Sequence, residues 1–200
     1  MKINFNHSFF SSINESLKLK KELFNESKNV HKIVSDIFNK IKKGGKIFLC
    51  GNGGSAADAQ HLAAEFLIRL RPHINRKPIA AISLAQDTST LTACSNDYNF
   101  NKIFSRNLEA LGNKKDVLIA ISTSGNSKNI IEVLKYAKKN NIYSLGLLGN
   151  RGGHAKKLCN EKIIVPSNNV ARIQECHIFL GHFIFECLEE ELIKLKKKKI

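Results

Sequence analysis

Apolar residues recur at helical spacing over the first part of the chain and then collect into short runs. Between residues 8 and 42 they follow a three-to-four-residue period on a polar background, which predicts an N-terminal helix ended by Gly44 and Gly45. Helical stretches separate five later runs, which are KIFLC (46–50), IAAIS (79–83), DVLIAIS (116–122), YSLGLLG (143–149) and KIIVP (162–166). Such alternation predicts parallel strands joined by right-handed crossovers. We therefore expect an α/β fold, a three-layer α/β/α sandwich around a five-stranded parallel sheet.

The chain divides into an N-terminal helix and one sandwich. The last helix is predicted over about 170–193, and residues 71–77 read as an exposed connection between the layers. No internal repeat or linker interrupts the pattern, and 200 residues suit one domain of ordinary size. We expect a single domain over 1–200, with the helix at 8–42, the sandwich at 45–193 and a basic tail at 194–200.

Composition narrows the possible partners. The formal net charge is +15, and lysines account for most of it, including a cluster at the C-terminal end. These lysines lack the interleaved arginine and aromatic residues of a base-reading surface, so we expect a solvated basic surface and no nucleic acid partner. No segment approaches the ~20 apolar residues of a membrane span, and the N-terminus lacks the apolar run of a signal peptide. We expect no membrane partner.

The cysteines indicate a reducing compartment. There are five, an odd number, widely spaced and without a CxxC pair. This pattern favours reduced, mostly buried thiols, and it predicts a cytoplasmic protein.

Two loops follow predicted strands and carry candidate binding chemistry. In an open parallel sheet, ligands bind beyond the carboxyl ends of the strands. GNGGS (51–55) lacks the GK[ST] of a P-loop, and no acidic residue ends the next strand to bind a ribose, so a structural tight turn competes with a binding loop. STSGNS (122–127) presents hydroxyls and backbone N–H groups at a helix start, which suits a phosphate monoester, although a simple helix cap explains it as well.

The third candidate is a set of polar residues on two helices. His61 and Glu65 are four residues apart and share one face of the helix that follows the glycine loop. The last helix carries Gln174, His177 and His182 among apolar residues, and these either are satisfied core or interface residues or belong to a site. Gln174 and His182 are separated by roughly 12 Å along the helix axis. A shared site therefore requires their side chains to lean together or to come from different subunits.

Together these segments carry a family resemblance. GNGGSAADAQHLAAEF, LTACSNDYNFNKIFSRNLEALG, DVLIAISTSGNS and RIQECHIFLGH, in this order and spacing, resemble the sugar isomerase (SIS) fold and, within it, the bacterial phosphoheptose isomerases. The resemblance implies isomerisation of D-sedoheptulose 7-phosphate to D-glycero-D-manno-heptose 7-phosphate, for lipopolysaccharide or capsule synthesis. It also implies a cytoplasmic homotetramer with active sites at subunit interfaces and one Zn²⁺ per subunit.

The resemblance also implies roles for individual residues. His61, Glu65, Gln174 and His182 would hold the metal, and Glu65 and His182 would be catalytic. The implied substrate-binding set is Asn52, Gly53, Gly54, Ser55, Glu65, Asn96, Asp97, Ser122, Thr123, Ser124, Ser127 and Gln174. A carboxylate on zinc is a weaker base than a free one, so Glu65 cannot be fully a ligand and fully a base at once.

A related group within the fold keeps a second function open. Non-catalytic SIS proteins bind a replication initiator or sense sugar phosphates, and the initiator-binding group characteristically lacks the glutamate after the histidine and the late histidine. Glu65 and His182 are both present here, which favours the enzyme. Ala171 stands where some isomerases have an aspartate, so no role for that carboxylate is carried over.

Overall fold

The computed structural model describes residues 4–197 and contains the expected parallel sheet. Its strands, β1 to β5 in chain order, are Ile47–Cys50, Ala81–Ser83, Val117–Ser122, Tyr143–Gly149 and Glu161–Val165. They lie in the order β2-β1-β3-β4-β5, and each neighbouring pair is parallel. The strand order reverses at β1, so the loops after β1 and β3 emerge side by side at the carboxyl edge.

Helices cover both faces of this sheet. The α-helices, α1 to α7, are Phe5–Glu22, Ser27–Lys42, Gly54–Leu67, Thr88–Asp97, Ile103–Leu111, Lys128–Lys139 and Val170–Lys197. Alternate residues of each strand face opposite sides, as in any strand. Ile119 and Leu147 pack with α1, α2, α3 and α7, whereas Leu118 and Leu148 pack with α5 and α6. The expected three-layer α/β/α sandwich is therefore confirmed.

The N-terminal helix predicted over residues 8–42 is two helices. A 3₁₀ turn at Leu23–Glu26 separates α1 from α2. A 3₁₀ turn has three residues per turn and so shifts the phase of the apolar stripe. Val30, Ile33 and Ile37 of α2 are buried, whereas Phe9 and Phe10 of α1 are exposed in the single chain.

Helices α3 and α7 run parallel to each other on the same side of the sheet. Contacts at both ends fix this register: Gly54 of α3 faces Gln174 of α7, and the ring centroids of Phe66 and Phe185 lie 3.7 Å apart. Between them, a Cβ on Gly181 would lie 2.5 Å from the Leu62 side chain, so the two helices approach closely. This register decides which side chains of α3 and α7 meet.

Residues 71–77 are mostly exposed, as the sequence predicts, but two arginines of this segment turn inward. Arg71 and Arg76 both pair with the Glu189 carboxylate, which is fully buried on α7. A buried carboxylate needs a partner, and this requirement draws the two arginines inward. The Arg76 side chain is only 6% exposed.

The C-terminal segment also departs from the prediction. Helix α7 continues past 193 to Lys197, so the first part of the predicted basic tail (194–200) is helical, and residues 198–200 lie outside the described residues. Within residues 4–197, no helix combines the length and the apolar character that crossing a membrane requires.

Candidate active site

The glycine loop between β1 and α3 owes its shape to missing side chains. Gly53 has φ +56, in the left-handed region that favours glycine. At Gly51, a Cβ would lie 2.4 Å from the backbone oxygen of Ser55, and at Gly54 it would lie 2.5 Å from the Gln174 amide. The glycines therefore allow the loop to close on α3 and allow α7 to approach the start of α3.

The hydroxyl loop after β3 is a tight turn that leads into α6. Ser122 is buried, and its Oγ accepts a hydrogen bond from the Gly125 N–H at 3.1 Å. Gly125 has φ +64 and leaves no room for a side chain, since a Cβ would lie 2.2 Å from the Gly152 oxygen. Ser127 caps α6 by position, but its side chain makes no cap hydrogen bond within the described residues. Its hydroxyl and the first N–H groups of α6 can therefore face an anion.

The two loops are held together at the edge of the sheet. The side-chain amides of Asn52 and Asn129 exchange two hydrogen bonds, of 2.9 and 2.8 Å. A Cβ on Gly149, at the end of β4, would meet both the Thr123 backbone oxygen and the Ile173 side chain. The glycine loop, the hydroxyl loop and the start of α7 consequently form one continuous surface.

A cluster of three side chains lies farther along α3 and α7. His61 Nε2 is 2.9 Å from His182 Nε2 and 3.3 Å from a Glu65 carboxylate oxygen. Glu65 follows His61 by one turn, and the α3–α7 register places His182 opposite them. The expected approach of His61 and Glu65 to the last helix is observed at His182. We call His61, Glu65 and His182 the trio.

The donor set of the trio suits a divalent metal. One ligand atom from each residue lies within 4.8 Å of the other two. Tetrahedral zinc bonds of ~2.1 Å place ligand atoms about 3.4 Å apart, close to the observed separations. Two imidazoles and a carboxylate are common ligands for zinc and related metals. The trio is therefore a possible metal site on the geometry of this chain.

The surroundings of His182 favour its neutral form. Burial lowers its pKa from the ordinary value, and the neighbouring His61 lowers it further, while Glu65 and Glu186 oppose the shift. A neutral imidazole can bind a metal or exchange a proton with a hydroxyl group. The His61 side chain is half exposed in the single chain, so the trio opens to solvent.

The other residues that the sequence singled out occupy different places. Gln174 lies beside Gly54, two helical turns before His61 or roughly 10 Å of helix rise, and so at the glycine loop. Asn96 and Asp97 lie at the end of α4, both exposed, with their side chains hydrogen-bonded to each other at 2.9 Å. Among the described residues, neither side chain bonds to any candidate residue other than the neighbouring one of this pair. Ser55 is buried, Thr123 is partly exposed and Ser124 is exposed.

His177 is a core residue between these two regions. It is fully buried, and neither ring nitrogen has a hydrogen-bond partner of normal geometry among residues 4–197. Burial lowers the pKa of His177 to about 4, and a contact with the Leu148 backbone opposes this shift. The side chain is therefore neutral and separate from the trio.

Two residues near the site are not among those that the sequence predicts for it. Asp58 precedes His61 by one turn, and one of its carboxylate oxygens is buried without a partner within the described chain. Burial raises the pKa of Asp58 and His61 partly offsets the effect. The spacing of three residues to His61 is the signal that could have found Asp58. Asn129 carried no such signal, because its partner Asn52 is 77 residues away.

Fold and site together define an α/β protein of the sugar isomerase (SIS) class. A family model described as "SIS domain" matches residues 8–149. Phosphoheptose isomerase 1 of Campylobacter jejuni is 55% identical over 150 residues, which are 75% of this chain and 80% of that protein. The phosphoheptose isomerase of Clostridium acetobutylicum is 44% identical over 185 residues, which are 91% of this chain and 93% of that protein.

Solved structures agree with the sequence relatives. A phosphoheptose isomerase from Neisseria gonorrhoeae superposes with a TM-score of 0.87 at 37% identity, and the match covers 94% of this chain and 100% of that chain. One from Francisella tularensis gives a TM-score of 0.89 at 31% identity with the same coverage. The chain belongs to the SIS domain family and, within it, to the phosphoheptose isomerases, which are isomerase enzymes.

Proposed function

We propose that this protein interconverts D-sedoheptulose 7-phosphate and D-glycero-D-manno-heptose 7-phosphate through an enediol. The observation that carries the proposal is the trio, because it places a carboxylate and a neutral imidazole together on the same pair of helices that border the hydroxyl loop. The kinship with phosphoheptose isomerases supplies the substrate.

The hydroxyl loop binds the phosphate in this proposal. Ser122, Thr123, Ser124 and Ser127 supply hydroxyls, and the N-terminus of α6 supplies N–H groups and a favourable dipole. Asn52, Gly53, Gly54, Ser55 and Gln174 contact the sugar at the adjoining glycine loop. Asn96 and Asp97 bind sugar hydroxyls at the end of α4. Binding at these groups orients the remote reactive carbons toward the trio.

Glu65 and His182 move the protons. Glu65 removes the proton from C1 of the ketose, and the electron pair of that bond forms the C1–C2 double bond. His182 gives a proton to O2 and takes one from O1, and Glu65 returns its proton to C2, which yields the aldose. The lowered pKa of His182 favours the neutral imidazole, which carries one donor and one acceptor nitrogen, so the ring can both give and take a proton and ends the cycle in its starting form.

His61, Glu65 and His182 would hold one Zn²⁺ per subunit. When bound, the ion would stabilise negative charge on the substrate oxygens. Glu65 would be both a ligand and the base, and a carboxylate bound to the ion would be a weaker base than a free one. Gln174, predicted as a fourth ligand, fits a substrate contact better, since it lies beside Gly54.

The protein would act as a homotetramer with interfacial active sites. Apolar residues of α1, among them Phe9, Phe10 and Leu17, are exposed in the single chain. A groove of about 770 Å³ between the N-terminal helices and α7 is lined by apolar side chains that include Phe24, Phe179 and Phe183. Such a surface indicates an interaction site, and further copies of the chain would cover it. The half-exposed His61 would then be enclosed.

The wider role of the protein follows from its product. We place it in the cytoplasm as a single-domain enzyme that supplies heptose phosphate for nucleotide-activated heptose, and so for lipopolysaccharide or capsule. No nucleic acid partner is required.

A coupled assay tests the proposal. Purified protein is incubated with sedoheptulose 7-phosphate, with and without a chelator, and aldoheptose phosphate is measured. We expect turnover that the chelator abolishes and Zn²⁺ restores. If the chelator does not change turnover, the proposal that the enzyme requires a metal is wrong. Binding of the sugar phosphate without turnover would instead support the non-catalytic alternative, a sensor or a protein that binds a replication initiator.

A further inference from the structure

Arg76 is the least exposed charged residue of the segment that follows α3. Its Nε donates to the buried Glu189 carboxylate at 2.5 Å, and its guanidinium lies 5.7 Å from the centre of the Phe66 ring. Arg71 binds the same carboxylate from the other side, through its Nε at 2.8 Å. The two arginines therefore share one partner on α7 but differ in what else they contact.

Arg76 also caps the C-terminal end of α3. Its Nη2 donates to the backbone oxygen of Glu65 at 2.7 Å, and its Nη1 donates to the backbone oxygen of Phe66 at 2.9 Å. The last carbonyls of a helix have no partner within the helix, and a cation there also complements the helix dipole. A guanidinium can bind two successive carbonyls and a carboxylate at once because its donors form a rigid fork.

These contacts connect Arg76 to the trio through both helices. Glu65 belongs to the trio, and Arg76 holds the backbone of that residue directly. His182 lies on α7 two turns before Glu189, so the Arg76–Glu189 ion pair fixes the same helix pair that brings His61 to His182. Without Arg76, the Phe66 oxygen would keep its hydrogen bond from the Ile79 N–H, whereas the Glu65 oxygen would lose its bond from the guanidinium.

We propose that Arg76 is a positioning residue, which holds the Glu65 end of α3 in the register that the trio requires. The proposal deepens the proposed function and rests on it for the catalytic readout. Arg76 touches neither the substrate nor the reacting atoms and acts only through the Glu65 backbone and Glu189.

The test compares the same substitution at the two arginines. Arg76→Lys keeps the charge beside Glu189 but loses the fork that binds the carbonyls, whereas Arg71→Lys changes the shared ion pair and leaves the cap intact. Arg76→Gln is the stronger variant, and Arg76→Lys serves if that one fails to fold. We expect Arg76→Lys to lower kcat about tenfold with KM changed less than threefold, and to weaken Zn²⁺ binding about tenfold in a chelator competition. Arg71→Lys should change each by less than threefold.

Hydrogen exchange supplies a readout that needs neither substrate nor metal. Amides in peptides covering residues 62–69 should exchange faster in Arg76→Lys than in the parent protein, and should be unchanged in Arg71→Lys. Equal effects of the two substitutions, or a lower melting temperature without faster exchange in this segment, would overturn the proposal. If the parent protein fails to convert the heptose phosphate, the proposed function fails, and the exchange result still decides the role of Arg76.

Discussion

The two halves of the candidate site are built in different ways. The glycine and hydroxyl loops take their shape from the backbone: Gly53 and Gly125 have positive φ, and both loops follow directly from parallel strands. The trio is built from side chains on two helices, and His61 and His182 are 121 residues apart. Local sequence therefore determines the loops, while the packing of α3 on α7 determines the trio.

Because the two halves are built differently, we expect them to respond differently to substitutions. A loop that depends on missing side chains is damaged by adding one atom, and the damage falls on folding and phosphate binding together. A cluster that depends on helix register is damaged by removing a functional group, and the fold survives because His61 and Glu65 are only partly buried. Substitutions in the trio should thus cost activity, and substitutions in the loops should cost stability or affinity.

Glu65→Gln should have the largest effect. It keeps the size of the side chain but removes the base, so we expect kcat to fall about 10³-fold, within the range for a lost acid–base group. The melting temperature should stay within a few degrees of the parent protein. Glu186→Gln is the matched control, because Glu186 also faces His182 electrostatically but lies outside the trio. Comparable losses in both variants would contradict the role of Glu65.

Gly125→Ala should damage the loop half of the site most. Its Cβ would collide with the Gly152 oxygen and would also require a positive φ, so we expect the free energy of unfolding to fall by about 3 kcal/mol. Gly44→Ala is the control, because Gly44 has φ +82 but open space around a Cβ, and should cost only about 1 kcal/mol. Urea unfolding of both variants measures the difference between their losses in the free energy of unfolding. Equal losses would show that the positive φ, and not the collision with Gly152, determines the cost.

The sequence predicts the locally determined features of the fold better than those that depend on distant contacts. Apolar runs and glycine turns predict the strands within two residues at each end, because burial on both faces of a sheet leaves a strong local pattern. The apolar pattern does not mark the break at Leu23–Glu26. The inward turn of Arg71 and Arg76 is not predicted either, because it depends on Glu189, which is more than a hundred residues away in the chain.

The candidate site was predictable as a set of residues but not as a geometry. The resemblance supplied His61, Glu65, Gln174 and His182 as one metal group, yet it gave no register between the helices that carry them. The parallel packing of α3 and α7 places His182 at His61 and leaves Gln174 at Gly54. The contacts of Gly54 with Gln174, of Gly181 with Leu62 and of Phe66 with Phe185 together fix that arrangement.

A substitution of His177 tests the core between the two halves of the site. Its pKa is about 4 in the folded protein and 6.5 when exposed, so below pH 6.5 the unfolded chain binds a proton that the folded chain rejects. This contribution is absent above pH 6.5, and stability falls as the pH drops from there toward 4. We expect the parent protein to lose about 2 kcal/mol between pH 8 and pH 5 relative to His177→Leu. Urea unfolding at several pH values measures this loss. If the free energy of unfolding changes equally with pH in the parent protein and in His177→Leu, His177 is not buried in its neutral form.

Ser127→Ala should have the smallest effect and should sharpen the contrast between binding and chemistry. The Ser127 hydroxyl makes no cap bond within residues 4–197, so its removal should leave α6 and the free energy of unfolding nearly unchanged. A hydrogen bond to a charged group contributes roughly 1.5 kcal/mol, so losing one to the substrate phosphate should raise KM about tenfold. The phosphate contact is equally strong in the bound substrate and in the transition state, so kcat should stay constant. Ser127→Thr keeps the hydroxyl and should restore KM. A fall in kcat with constant KM would place Ser127 with the reacting carbons and join the two halves of the site into one.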